Sequence, residues 1–496
     1  MSSLGYQRIY RALMEAPGLC CERAFLPEAA TGAGGSGGAA ETPLTYESLS
    51  QLGDFPIVAL SVAYELEIAG VIKLLEAAGL PALREERDDR HPFILAGGPL
   101  TFSNPLPLSP YVDAIIVGEA EALTPDVCRA VAEAPSRQAA LDALERFDHV
   151  FLPERHGDRL PPVAKVDDAL LPAWGPIRTP HAELSNMFLI ETERGCSRGC
   201  NYCVMRRSTN GGMRLVPKDV ILGLIPEGAQ RVGLVGAAVS DHPKIVEIVN
   251  ELTARGKGVG LSSLRPDRLS DEFVEALKRA GYRTLTTAMD GPSERLREAM
   301  GRHAREKHLL KAAERARKHG MDRLKLYLMV GLPNETDEDI DECVRFTTEL
   351  TRLVPVALGI APFCAKRQTP LDGAPFAGIN VVEGRLDRLR RGLKGRADVR
   401  ATSARWAWVE YILAQGGVAE GRAVLDAVRA GGSFAAYKRA FASLERPATP
   451  VRRALPLVGL TRSAPPTPPR TPLSTPTPLA TPTSPPTPLP TPLPTP

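Results

Sequence analysis

The chain has 496 residues, 43% hydrophobic and 24% charged, with Lys+Arg 61 against Asp+Glu 58 and a formal charge of +3. That length holds two or three domains, and the ordinary globular composition excludes wholesale disorder and collagen-like repeats. The near-neutral balance and 5% aromatic content do not indicate nucleic-acid binding, by charge or by base stacking. No run of 18 apolar residues exists, so no membrane-spanning helix is expected. Met1–Ala16 is amphipathic, with Arg8 and Arg11 inside it, and does not read as a signal peptide. Eight cysteines are too few for a disulfide scaffold. Three of them crowd into one short segment, which in a cytoplasmic chain, the location expected here, points to a metal site.

In chain order, Thr31–Ala40 is a Gly-rich flexible insertion. Phe55–Val62, His91–Gly98 and Asp113–Gly118 read as buried strands. Glu65–Ala78 reads as a helix ended by Gly79, and another helix starts at Glu119. Continuous apolar runs suit strands covered on both faces, hence a parallel α/β sheet over 1–152. Pro153, Pro161, Pro162, Pro172, Pro176 and Pro180 mark a linker, 153–186. The pattern restarts at Met187, with strands expected at 187–192, 231–236, 259–263, 283–289, 324–330 and 356–361. Helices such as Lys244–Ala254, Asp271–Ala280 and Glu306–His319 lie between them. Six such units over 187–380 fit an open, partial (β/α)6 barrel or a doubly wound sheet, and function then sits at the C-terminal ends of the strands. Residues 381–446 read helical, as in Val382–Leu393 and Gly421–Ala430. From Ala464 to Pro496, 15 of 33 residues are proline. A low-complexity disordered tail is therefore expected over 447–496, passive rather than a ligand for a proline-recognition domain.

The informative segment is Glu191-Thr-Glu-Arg-Gly-Cys196-Ser-Arg-Gly-Cys200-Asn-Tyr-Cys203, a C-x3-C-x2-C spacing that follows a predicted strand. Thiolates are soft ligands that suit iron–sulfur clusters or zinc. Three cysteines on one loop hold three irons of a [4Fe–4S] cube and leave the fourth iron open. Zinc takes four ligands, often as two C-x2-C pairs, and Cys20, Cys21, Cys128, Cys343 and Cys364 supply no second pair. A metal-free cysteine loop is the third reading. His242 lies at the next strand end, as a proton donor or as a structural histidine.

The cysteine spacing, with Tyr202 just before the third cysteine, resembles the signature of radical S-adenosylmethionine (SAM) enzymes. Val232–Asp241, Ser293-Glu-Arg-Leu-Arg297 and Lys325–Asp339 add to the resemblance, which spans about 187–375. Tyr64–Glu67, Ala96–Pro99 and Gly118-Glu-Ala-Glu121 resemble the Rossmann-like, cobalamin-binding-type domain that precedes this barrel in one large subgroup.

The resemblance implies that Cys196, Cys200 and Cys203 ligate a [4Fe–4S] cluster. SAM chelates the open iron, and its reductive cleavage yields a 5′-deoxyadenosyl radical that abstracts hydrogen from substrate. The required potential is at the low end of the iron–sulfur range, about −700 to +450 mV, so a flavodoxin- or ferredoxin-like donor is implied. Tyr202 is placed beside the adenine. Gly236-Ala237-Ala238 stands where relatives carry Gly-Gly-Glu against the SAM amino group, and the missing glutamate leaves room for another acid. Ser263 and Arg265 end the third strand. Asp290, Ser293 and Glu294 end the fourth. These are implied contacts to the SAM carboxylate and ribose, set against plain capping roles for Ser293 and Glu294. Gly331 makes a strand-end turn that approaches the adenine.

Two departures concern the N-terminal domain. No D-x-H-x-x-G motif for a lower cobalamin ligand occurs, so a degenerate or histidine-free domain is favoured and cobalamin stays open as a cofactor. The chain also opens on what resembles the first helix, so the sheet is expected to lack its first strand. Within the resemblance, methyl transfer and other radical reactions are open. Methylthiolation is disfavoured because no further cysteines cluster. A catalytically inactive or binding-only iron–sulfur protein, or less readily a zinc protein, is the alternative. The substrate is not legible.

Overall fold

The run Phe93-Ile-Leu-Ala-Gly97 shows why the N-terminal half folds as it does. Side chains alternate across a strand. Phe93 and Leu95 pack on one side with Leu13, Val127 and Leu141, while Ile94 and Ala96 pack on the other with Ile72, Val424 and Tyr437. Both faces are buried, the condition under which parallel strands persist. The computed structural model, which describes residues 2–27, 42–205, 212–262 and 264–444, accordingly shows a parallel sheet here. Strands β1 (Ile57–Ser61), β2 (Phe93–Gly97) and β3 (Ala114–Ile116) run parallel in that order. β4 (Val150–Phe151) pairs antiparallel to β3. The first element is the helix Leu4–Glu15, N-capped by Ser3.

β5 (Met187–Glu191) follows the proline-rich segment. The chain then forms a two-stranded antiparallel ribbon, β6 (Glu193–Gly195) with β7 (Met213–Leu215). β8 (Arg231–Val235) and β9 (Gly258–Leu261) complete a parallel sheet ordered β5-β8-β9. β10 (Thr284–Asp290), β11 (Arg323–Val330), β12 (Val356–Pro362) and β13 (Asp398–Ala401) form a second parallel sheet in chain order. The two sheets share one core, which runs from Ile190 and Leu234 through Leu285 and Leu326 to Ile360. Thr287 Oγ1 donates to the Leu264 carbonyl across the seam, 2.8 Å. Among the described residues no ladder closes the two sheets on each other, so the barrel is open.

All six strands expected in this half are present. β13 was not expected, because Asp398-Val-Arg-Ala401 is short and partly exposed and carries no apolar run. It falls inside the stretch read as helical. The ribbon β6–β7 was not expected either: its partners lie on either side of the cysteine loop, a pairing that local periodicity does not reveal. Thr31–Ala40 and the tail 447–496 lie outside the described residues.

The C-terminal helices return to the N-terminal sheet. Ala404–Gln415, Val418–Arg429 and Phe434–Ala440 pack on the β1–β2–β3 face through Val409, Val424 and Tyr437. Asn104, just after β2, donates from Nδ2 to the carbonyls of Leu413, Ala414 and Gly416 at 3.2, 3.1 and 2.8 Å. It thereby satisfies the orphan acceptors of a helix end. The Tyr111 hydroxyl donates to the Gly421 carbonyl, 2.5 Å, and a Cβ on Gly421 would stand 2.1 Å from the Pro107 carbonyl oxygen. Lys366, beyond the end of β12, reaches both Glu65 (2.6 Å) and Glu410 (2.8 Å). No described helix is long and apolar enough to cross a membrane.

Candidate metal and cofactor site

The cysteine loop leaves the sheet at the C-terminal end of β5, inside the β6–β7 ribbon. Two arginines of the ribbon anchor it. Arg194 on β6 makes two contacts to Glu191 (2.6 and 2.8 Å) and one to Glu121 (2.6 Å). Arg214 on β7 pairs with Glu119 and with Asp168. Burial opposes the charge on Arg194, yet Glu191, Glu121 and Glu119 together hold it above its ordinary range. Gly118-Glu-Ala-Glu121 of the N-terminal sheet thus clamps both strands that carry the cysteines.

Cys196, Cys200 and Cys203 face one cavity of about 200 Å³. Its walls include Tyr202, Ala237, Arg265, Thr286, Arg302 and Tyr327. Ala237 and Arg265 follow the C-terminal ends of β8 and β9, while Thr286 and Tyr327 face in from β10 and β11, so successive barrel strands converge on it. Burial raises all three thiols, that of Cys203 to about 11. Arg302 opposes this at Cys196 and Cys200. Metal binding must therefore displace protons from this site. Three cysteine sulfurs on one loop are the soft donor set that iron–sulfur clusters take.

Asp290 stands behind the cavity. It is a non-glycine residue at φ +63°, at a shift in the β10–β11 register. Such a conformation costs of order 1–3 kcal/mol and persists only where the surroundings impose it. Here Asp290 pairs with Arg302 and takes a hydrogen bond from Tyr202. Burial raises its carboxyl, against Arg302 and Tyr202. Asp290 thus couples the aromatic of the cysteine motif to the cavity-lining arginine.

Glu193 lies beside Gly236-Ala237-Ala238. Its Oε1 accepts from the Ala238 N–H at 2.8 Å, and Thr192 Oγ1 donates to its Oε2 at 2.5 Å. A Cβ on Gly236 would lie 2.0 Å from that carboxylate, so any other residue there must displace it. Burial pushes Glu193 up to about 7. Ser262 fixes the same turn from the next strand. Its hydroxyl accepts from Gly236 N–H (3.2 Å) and donates to the Gly236 carbonyl (2.9 Å).

Of the residues singled out from sequence, the three cysteines, Tyr202, Ala237 and Arg265 line the cavity. Gly236 adjoins it and Asp290 supports it. Arg265 is itself held by Asp241 and Asp267. Ser293, Glu294 and Gly331 are not on the cavity wall. Ser293 caps the helix Glu294–Ala299 and donates to Asp339 Oδ1 (2.6 Å). The Glu294 carboxylate accepts from Glu306 N–H (2.7 Å). Gly331 turns at φ +81° and donates its N–H to Glu335 (2.8 Å). Ser263 lies outside the described residues. His242 is buried, with Nε2 2.9 Å from the Val216 carbonyl and Nδ1 accepting from Lys244 N–H at 3.1 Å. It is a neutral structural imidazole, lowered by burial. Sequence reasoning missed Glu193, Ser262, Thr286, Arg302 and Tyr327. The polar alternation Thr284, Thr286, Ala288, Asp290 was the available signal for a lumen-facing strand.

Three cysteines share a cavity at the strand ends of an open, parallel α/β barrel. Residues 190–347 match the family model described as the radical SAM superfamily, and 5–153 match radical SAM proteins, N-terminal. The chain belongs to the radical SAM superfamily. It is 29% identical over 339 residues to the uncharacterized protein MJ0966 of Methanocaldococcus jannaschii, covering 66% of this chain and 71% of that one. It is 21% identical over 270 residues to the uncharacterized methyltransferase PH0819 of Pyrococcus horikoshii, covering 52% and 58%. With the ribosomal protein uS12 methylthiotransferase RimO of Thermosipho africanus it shares 25% over 175 residues, covering 32% and 40%. The chain thus spans only 58% and 40% of the second and third of these relatives. A solved structure of the cobalamin-dependent S-adenosylmethionine radical enzyme OxsB with aqua-cobalamin bound aligns at TM-score 0.43 and 12% identity, over 68% of this chain and 48% of that one.

Proposed function

We propose that this radical SAM enzyme holds a [4Fe–4S] cluster on Cys196, Cys200 and Cys203 and binds SAM in the adjoining cavity. One observation carries the reading: all three cysteines share a cavity with Tyr202, Ala237 and Arg265 at the ends of successive barrel strands. When bound, the cluster supplies the electron for reductive cleavage of SAM. The protein's part is placement. Tyr202 offers an aromatic face, and Glu193 and Ser262 set the Gly236–Ala237 backbone. Arg302 supplies positive charge beside the sulfurs. Thr286 and Tyr327, on the lumen side of β10 and β11, are placed to meet substrate.

This reading uses no cobalamin at the N-terminal sheet. Open parallel sheets take ligands at the C-terminal ends of their strands. At this edge Asn104 and Glu65 are instead engaged by the chain's own C-terminal segment. The relatives named as a methyltransferase and a methylthiotransferase favour group transfer. Against methylthiolation, the remaining cysteines are dispersed, with Cys343 in the barrel core and Cys128 in the N-terminal core.

Anaerobic reconstitution with iron and sulfide, reduction with dithionite and addition of SAM tests the reading. About four irons per chain, as one [4Fe–4S] cluster requires, and formation of 5′-deoxyadenosine are expected. Cys196→Ala, Cys200→Ala and Cys203→Ala each abolish both. SAM cleavage that survives all three substitutions would overturn the reading. An intact, reducible cluster without 5′-deoxyadenosine would instead support the binding-only alternative.

A further inference from the structure

Residues 266–270 and the helix Glu306–Lys318 wall a recess of about 460 Å³ beside the cysteine cavity. Arg268, Lys307, His308, Lys311 and Arg315 line it, and Asp267 is its single acidic lining residue. Asp267 is already engaged by Arg198 (2.8 Å) and Arg265 (2.6 Å). Lys307, Lys311 and Arg315 recur every four residues and therefore stack along one helix face, an arrangement that like charges disfavour. Other helices in this chain place an acid at that spacing, as in Glu251–Arg255 and Glu275–Arg279. Among the described residues no carboxylate pairs with Lys307 or Lys311. Burial lowers His308, with Lys307 and Arg305 acting in the same direction and Asp267 against it.

The recess is one ion pair from the cysteines. Arg198 stands between Cys196 and Cys200 and lines their cavity, while its guanidinium holds Asp267 of the recess. Arg265 lines the cysteine cavity and its chain neighbour Pro266 lines the recess. Arg268 pairs with Asp241 (3.6 Å), but among the described residues Lys307 and Lys311 stand without a paired carboxylate next to the place where an electron must enter.

We propose that this recess is the docking surface of an acidic one-electron donor protein of the flavodoxin or ferredoxin type. The proposal rests on the radical SAM reading above. One electron leaves the reduced donor, which becomes its one-electron-oxidised form. That electron is consumed in breaking the S–C5′ bond of SAM, giving methionine and a 5′-deoxyadenosyl radical. Arg268, Lys307 and Lys311 are exposed, so they can steer an acidic partner at long range. Such steering raises association rates and weakens with salt.

The test uses the reconstituted full chain and an oxidised flavodoxin whose flavin fluorescence reports binding without turnover. Lys307→Glu/Lys311→Glu is expected to weaken flavodoxin binding about tenfold or more, as reversal of rim charges does. Lys307→Gln/Lys311→Gln falls between it and the wild type. Wild-type affinity drops as salt rises, and the charge-reversed protein loses most of that dependence. Flavodoxin-driven 5′-deoxyadenosine formation falls with the affinity, while the dithionite-driven reaction stays within about twofold, because a small reductant needs no docking surface. Equal flavodoxin affinity in all three proteins would overturn the proposal. So would retention of inorganic phosphate or a short RNA, but not flavodoxin, through these lysines. A chain that bound flavodoxin through Lys307 and Lys311 but cleaved no SAM with dithionite would keep the surface and overturn the catalytic reading.

Discussion

The N-terminal sheet and the barrel strands both present C-terminal edges, and they use them in opposite ways. Beyond β5, β8 and β9, and against β10 and β11, the barrel opens into a cavity with three cysteines, two threonines, three arginines and two tyrosines on its wall. Beyond β1 and β2 the edge is closed by Lys366 and by the helix end that Asn104 caps. Its remaining acids, Glu119 and Glu121, are spent on the ribbon that carries the cysteines. The comparison teaches that the N-terminal sheet serves the barrel. Its ligand edge has become a socket, and the ligand is the rest of the chain.

The largest effects that probe this contrast come from the charges that join the halves. Glu119→Ala leaves Arg214 short of a buried partner, and Lys366→Met leaves Glu65 and Glu410 facing each other. Each is expected to cost about 3–5 kcal/mol, the usual result of stranding a buried charge, read by urea unfolding. A loss under about 1 kcal/mol, typical of exposed pairs, would show that the socket is solvated and break the comparison.

Next comes Glu193, on the open side. Its folded-state value of about 7 lies above the ordinary 4.5, so the folded chain binds a proton that the unfolded chain gives up. The stability associated with that proton is fully present below about pH 4.5. It is lost as pH rises through about 7, a span worth about 3 kcal/mol. Glu193→Gln removes this titration, so the wild type should lose stability relative to the variant across that window in thermal unfolding. Parallel pH profiles would show that the carboxyl is not desolvated.

Asn104→Ala should cost about 1–3 kcal/mol by leaving helix-end carbonyls unsatisfied. It should do so without changing iron content, because it acts only at the closed edge. The smallest expected response is spectroscopic: aquacobalamin added to the full chain should show no change in its visible spectrum. A stoichiometric shift would mean that the closed edge opens for a corrin, and the two edges would then be alike.

Local pattern determined much of this protein. Continuous apolar runs declared the parallel N-terminal strands and β5, where burial on both faces leaves a one-dimensional trace, and alternation marked β10 and β11. The C-x3-C-x2-C spacing declared the soft-ligand loop, because ligands on one loop must be neighbours in sequence. Only the tertiary structure decided which polar residues join them. Glu193 and Ala238, Ser262 and Gly236, and Asp290, Arg302 and Tyr202 meet across different strand ends, and no short-range period links them. β13 was hidden because a short, half-exposed edge strand carries no apolar run. The role of Gly118-Glu-Ala-Glu121 was hidden because a carboxylate's meaning lies in its partner. Arg194 and Arg214 are brought to it only when the N-terminal sheet and the cysteine ribbon fold against each other.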